Sequence, residues 1–336
     1  MKVCAPGKLI LSGEHAVVHG APALAVAINC HATVTITKRP LPDCQLHLAD
    51  LAHHSHVTLQ RLNHLKNRIK KTYQQFMRGE VPIHHVLHKP FELAQFVLSL
   101  LHEKSTYIFP SGANIKLQSQ IPIGCGLGSS AATIISMLYA VSRYLQLTLS
   151  DKRLFQLALM AENMQHGHSS GLDLQVVIQG GSLYVEPNQT ETRHFDMPPL
   201  LLAHTGTPNI STGTCVATVA PHFQHTTLTQ TFGTITKAMD QALQQNNWPA
   251  VREAVRANHR LLVQIGVVPP IIQNFIREIE AIGGAAKICG AGAIQGDQAG
   301  VIWLLGPDPV ALTQIAKRFH YPLHTMAHDT RGVHIA

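Results

Sequence analysis

The stretch Ile121-Pro122-Ile123-Gly124-Cys125-Gly126-Leu127-Gly128-Ser129-Ser130-Ala131-Ala132 constrains this chain more than any other. Three glycines at alternate positions run into two hydroxyl residues, and an apolar run of helical character follows from Ala131 to Leu145. Glycine allows positive φ and close backbone approach to a ligand. A helix starting just behind such a loop directs free N–H groups and the positive end of its dipole at whatever the loop holds. An anion, above all a phosphate, suits that arrangement. No Lys-Ser or Lys-Thr closes the loop, so it is not a Walker motif. On glycine spacing alone, a tight turn before a buried helix explains the stretch equally well. The Ser129-Ser130-Ala131-Ala132 continuation tips the reading towards a nucleotide.

Composition narrows the classes. With 336 residues the chain can form two domains or one large one. An apolar fraction of 45% with 13% charged residues is that of an ordinary globular protein, and no stretch has the length of a membrane span. Lys8 and the polar group Ser12-Gly13-Glu14-His15 interrupt the N-terminal apolar residues, which argues against a signal peptide and for a cytoplasmic protein. Six scattered cysteines without a C-x-x-C pair read as reduced thiols. The formal charge of +7 suits an acidic small ligand. Its basic residues are dispersed, apart from Lys66, Arg68, Lys70 and Lys71 on one expected helix face, so nucleic acid and membrane are not expected partners. A homodimer is compatible with the sequence.

Along the chain, Lys2 to Leu11 reads as a strand, a turn and a second strand, with further strands at Ala23–Ile28 and Ala32–Lys38. Residues 43–110 hold nine of the 23 histidines, including His53-His54-Ser55-His56 and His84-His85, and read as a His-rich, solvent-facing insertion. Its spacing predicts helices over about 57–78 and from Phe91 to Glu103. The clusters lack interspersed Cys, Asp or Glu, so a loop reading is preferred to a metal site. Ala113–Gln118 is a strand leading into the glycine loop. Ser150 is a good N-cap for a helix from Asp151 to about Gln165, whose late Glu162 opposes the helix dipole. The polar, aperiodic stretch Pro187–Pro199 marks a boundary between domains at 1–190 and 191–336. Helices are expected at about 223–245, 249–265 and 269–281, followed by a second glycine loop, Gly290-Ala291-Gly292.

A phosphate cradle, a hydroxyl at a helix start, two carboxylates (Glu162, Asp173) and Lys8 are together the parts that phosphoryl transfer needs. Three motifs occur in order: Ala5-Pro6-Gly7-Lys8-Leu9-Ile10-Leu11-Ser12-Gly13-Glu14-His15-Ala16-Val17-Val18-His19-Gly20, the loop above, and Lys287-Ile288-Cys289-Gly290-Ala291-Gly292. With these the chain resembles the small-molecule kinases of the galactokinase–homoserine–mevalonate–phosphomevalonate (GHMP) superfamily. Within it the mevalonate kinases are most similar, also through Glu162 to Asp173. The resemblance leaves 43–110 without a motif, and it ends after Gly292, where Ala293-Ile294-Gln295-Gly296 replaces further glycines.

The resemblance implies a two-domain α/β (α+β) fold: an N-terminal ATP-binding domain with a mixed sheet and a phosphate loop before a buried helix, and a C-terminal α/β domain. It implies ATP and Mg2+ as cofactors and mevalonate as the small-molecule substrate, phosphorylated at its primary hydroxyl. By position, Asp173 becomes the catalytic base and Lys8 the neutralising cation. Gly124, Cys125, Gly126, Leu127, Gly128, Ser129, Ser130, Gly290 and Gly292 contact ATP. Ser130 and Glu162 hold the metal, and Glu14, His15 and Thr212 line the substrate site, with Ser211 the alternative to Thr212. A phosphomevalonate or sugar kinase and a non-catalytic nucleotide-binding relative stay open as alternatives.

Overall fold

The structure is a computed structural model that describes residues 1–41, 43–101, 112–187, 189–224 and 226–336. Strand β1 (Lys2–Ser12) is continuous, with register shifts at Pro6/Gly7 and Ile10/Ser12 instead of the expected turn. Strand β2 (Ala23–Lys38) likewise joins the two strands expected there. Its first half is buried on both faces. From Asn29 onward it alternates buried and outward residues, as a strand with one solvated face does. Strands β3 (Cys44–Leu48) and β4 (His53–Val57), helices α1 (Leu59–Met77) and α2 (Glu92–Leu101), strand β5 (Ala113–Ser119) and helix α3 (Ser129–Tyr144) follow. The expected end of the second helix at Glu103 lies outside the described residues.

Next come helices α4 (Asp151–His166) and α5 (Leu172–Gln179) and strands β6 (Ser182–Glu186) and β7 (Gln189–Arg193). The first sheet runs β4-β3-β5-β2-β1, with β6 and β7 added beside the first half of β2. Among the described residues only β3 and β5 pair in parallel, so the sheet is mixed. The expected boundary at 190/191 therefore falls inside a strand that this sheet holds.

The second half carries strand β8 (Leu200–His204), helices α6 (Thr212–Val219), α7 (Thr226–Gln244), α8 (Trp248–Gln264) and α9 (Pro270–Ala281), strands β9 (Ala285–Cys289) and β10 (Val301–Leu305), helix α10 (Pro309–Arg318) and strand β11 (Leu323–Met326). The second sheet is antiparallel in the order β11-β8-β10-β9. The chain then leaves it, and strand β12 (His334–Ile335) pairs with β1. No helix among the described residues is long and apolar enough to cross a membrane.

The described part of 43–110 is not a solvent-facing insertion. Hairpin β3–β4 extends the first sheet, and Cys44, Leu46, Leu48, Val57, Leu62, Ile69 and Phe96 lie in its core. His53, His54 and His56 are strand residues, not loop residues: His47 stacks on His54 at 3.8 Å and His53 on Phe91 at 3.9 Å. The period of two was hidden because histidine occupies both faces of β4. Among the described residues no cluster of three His, Cys, Asp or Glu could hold a metal.

Candidate active site

Helix α3 owes its position to its apolar residues, with Ala131, Ala132, Ile134, Ile135, Met137 and Leu138 all buried. Its N-cap is Gly128 at φ 76°, so no side chain satisfies the first N–H groups of the helix. They open into a cleft of about 510 Å3 together with Gly124, Gly126, Ser129 and Ser130. The Leu127 carbonyl accepts a 2.9 Å bond from the backbone N–H of Lys8, which stitches the loop to β1. Cys125 belongs to the loop only through its backbone. Its thiol is buried against His204 Nε2 at 3.0 Å, and burial pushes its pKa up.

The second glycine loop supports the first. A Cβ on Gly126 would overlap the Cys289 carbonyl, and one on Gly290 would stand 2.9 Å from the Gly126 Cα. Gly290 lines the cleft, but Gly292 does not: it packs on the Val267 carbonyl, and Ala293 beside it is a core residue. Gly292 is thus misplaced as a nucleotide contact. The divergence after it leaves the support of the first glycine loop intact, because that support is the Cys289–Gly290 backbone. Gly126→Ala is expected to raise the KM for ATP by up to about 100-fold, since positive φ and the blocked contact displace the loop. Initial rates at varied ATP check this; an unchanged KM would refute the packing account.

Lys8, only 3% exposed, points from β1 to Asp173 in the first turn of α5, Nζ to Oδ2 3.0 Å. Ser130 Oγ donates to Glu162 Oε1 at 2.9 Å, and His166 Nε2 lies 3.2 Å from the same hydroxyl. Burial, with the nearby Asp173 charge, pushes the Glu162 pKa up to about 8, opposed by the Ser130 bond and Lys8. Burial also holds His166 near 4, so its imidazole is neutral. Thr212 begins α6 and lines the cleft, whereas Ser211 is spent as the helix cap, accepting from Thr214 N–H at 3.2 Å. Geometry thereby favours Thr212 of the two.

Glu14 and His15 line the same cleft but are 2% and 5% exposed. Glu14 is ion-paired with the fully buried Lys287 of β9. His15 Nε2 sits 3.0 Å from the Ala291 carbonyl, and burial lowers the imidazole to about 4. A neutral ring donating to that carbonyl presents only a lone pair at Nδ1, which makes it a poor carboxylate ligand. Both residues join the first motif to the third. Sequence reasoning named Lys287 only as part of a motif, because nothing local marks a lysine as buried. It also missed the far wall of the cleft: Leu48, Leu51, Leu87, Pro90, Leu93 and Ala94, all from 43–110.

The glycine loop at the N-terminus of α3, the Lys8–Asp173 pair and the Ser130–Glu162 pair face one cleft, and groups of these kinds are those that phosphoryl transfer uses. Residues 92–181 match the GHMP kinases N terminal domain and 239–294 the GHMP kinases C terminal domain. The chain belongs to the GHMP kinase family. Mevalonate kinase of Archaeoglobus fulgidus is 31% identical over 87% of this chain and 89% of its own. That of Thermococcus onnurineus is 28% identical over 90% and 88%. The crystal structure of the Methanococcus jannaschii mevalonate kinase superposes with a TM-score of 0.77, at 23% identity, over 98% of each chain.

Proposed function

We propose that this chain transfers the γ-phosphoryl group of ATP to the primary hydroxyl of mevalonate, giving 5-phosphomevalonate. The observation that carries the chemistry is the 3.0 Å Lys8–Asp173 pair facing the glycine loop across one cleft. In this reading the loop backbone and the N-terminus of α3 hold the ATP phosphates, and the apolar wall from Leu48 to Ala94 receives the base. Asp173 orients the acceptor hydroxyl and takes its proton, while Lys8 stabilises the charge spreading over the transferred group. The acceptor follows from the relatives' shared name and from the Gly13–Gly20 segment, which differs from the Gly-Glu-His-Thr-Asp-Tyr pattern of galactokinases.

The donor set fits Mg2+. Ser130 Oγ and Glu162 supply two hard oxygens, and Glu162 Oε2 is buried without a partner. With only these two protein ligands, such an ion would rely on nucleotide phosphates for the remainder. Held by Ser130 and Glu162, magnesium would supply positive charge to offset that of the phosphates during transfer.

A panel of mevalonate, phosphomevalonate and galactose with Mg-ATP, read by ADP release, tests the acceptor. Turnover is expected with mevalonate. Turnover confined to either of the others would reassign the acceptor, and none with all three would favour a non-catalytic relative.

A further inference from the structure

Helix α5, which places Asp173, has only eight residues, too few to hold a helix without tertiary support. Its N-terminal turn is tied to Lys8. Its other end is held by the last ten residues of the chain. After β11 leaves the second sheet, the Ala327 N–H donates to Asn29 Oδ1 at 2.7 Å, and His328 bridges to Ile28. The Asp329 N–H donates to the Ala27 carbonyl at 2.9 Å, and its carbonyl accepts from Gly181 N–H at 2.8 Å. The Asp329 carboxylate, 7% exposed, takes His31 Nε2 at 2.7 Å and the Arg331 N–H at 2.9 Å. One residue thus connects β2, the turn after α5 and the tail.

The grip on the helix itself is backbone to backbone. The carbonyls of a final helical turn have no partner within the helix. Here the Val177 carbonyl accepts from Val333 N–H at 3.0 Å, and that of Val176 from Gly180 N–H at 2.8 Å. A Cβ on Gly332 would overlap the Ile178 carbonyl, and one on Gly180 (φ 73°) would overlap Arg331. Glycine at both positions is what lets the tail lie on the helix end. Only then does β12 pair with β1, the strand that carries Lys8.

We propose that residues 327–336 are a strap that positions the catalytic helix, with Asp329 and Gly332 as positioning residues. They touch no substrate. They set where α5 stands along its axis, and so where Asp173 meets Lys8. Because the strap starts at β11 in the second sheet and ends on β1 in the first, it also connects the placement of Asp173 to the second half of the chain. A displacement on the order of 1 Å at a reacting group lowers turnover by up to about 100-fold. Among the described residues no hydrogen bond joins the strap to the glycine loop that precedes α3, so ATP binding is expected to change little.

The inference rests on the kinase reading, and its test separates the two. The parent chain and the variants Gly332→Ala, Asp329→Ala, Asp329→Asn and Ile335→Ala are compared by kcat, KM for both substrates, and amide hydrogen exchange. Gly332→Ala and Asp329→Ala are expected to lower kcat by about 10–100-fold with both KM values within about twofold. Exchange is expected to rise over 172–181 and stay unchanged in α3. Asp329→Asn keeps an acceptor for the Arg331 N–H and should recover part of kcat. Ile335→Ala, at a side chain 56% exposed, should match the parent. Unchanged kcat in both Asp329→Ala and Gly332→Ala would overturn the strap. So would exchange rising in α3 as much as in 172–181, which is general loosening. If Gly332→Ala does not fold, Asp329→Ala alone decides. Absence of parental activity would refute the kinase reading, while the exchange data would still decide whether the tail holds α5.

Discussion

Asp173→Asn is expected to lower kcat by about 10²–10⁴-fold, the range that a positioned general base contributes. The amide keeps the size of the side chain and can still accept a bond from Lys8 Nζ, now 3.0 Å from Oδ2. It cannot take the acceptor's proton. In the proposed reading ATP is held by the glycine loop and the N-terminus of α3 and not by the Asp173 carboxylate, so its dissociation constant should change little. The measurement is single-turnover phosphorylation beside equilibrium ATP binding. Loss of binding in step with turnover would mean that Asp173 organises the nucleotide site rather than the acceptor. Full turnover would remove it from the chemistry.

Lys287→Met carries the largest expected effect on stability. Lys287 is fully buried between the sheets, with Nζ on the Glu14 carboxylate and 3.4 Å from the Ile10 carbonyl. Removing the cation leaves Glu14, itself 2% exposed and already with Oε2 unpartnered, without compensation. Breaking such a pair costs about 3–5 kcal/mol, because the remaining charge stays desolvated. Substituting both partners, Glu14→Gln with Lys287→Met, removes that stranded charge and should recover more than half of the loss. Denaturant midpoints of the parent, both single variants and the pair form the cycle. Additive losses would show that the two side chains do not act as a pair. The same contact joins the first and third motifs, so its strength bears on how firmly the cleft walls are held together.

Much of the fold could be read locally. Ser150 caps α4 through Arg153 N–H at 3.2 Å, and the leucine and isoleucine spacing of α1 places Leu62 and Ile69 in the core. These features depend on neighbours three or four residues away. The readings that failed depended on distant ones. The turn expected at Pro6-Gly7 is a strand irregularity, because β1 pairs with β2 along its length. Helix α5 went unread since eight residues give too little periodicity, and β7 since its alternation of polar residues carries no apolar signal. The site showed the same division. Lys8, Ser130, Glu162 and Asp173 stood out by residue type and motif, and the structure brings all four to one cleft. Gly292 was misread because a glycine needed for packing looks the same in sequence as one needed for a phosphate.

The sequence by itself determined the phosphate loop, the residues with chemistry to offer and the family to which they belong, since each is a short pattern of residue types. Only the tertiary structure decided which of them share a cleft. It brought Lys8 to Asp173 across 165 positions, buried Lys287 against Glu14, made residues between Leu48 and Ala94 a wall of the cleft and laid residues 327–336 on the end of α5. Contacts between residues so far apart follow from burial, sheet pairing and desolvation summed over the whole chain, and no local stretch encodes them.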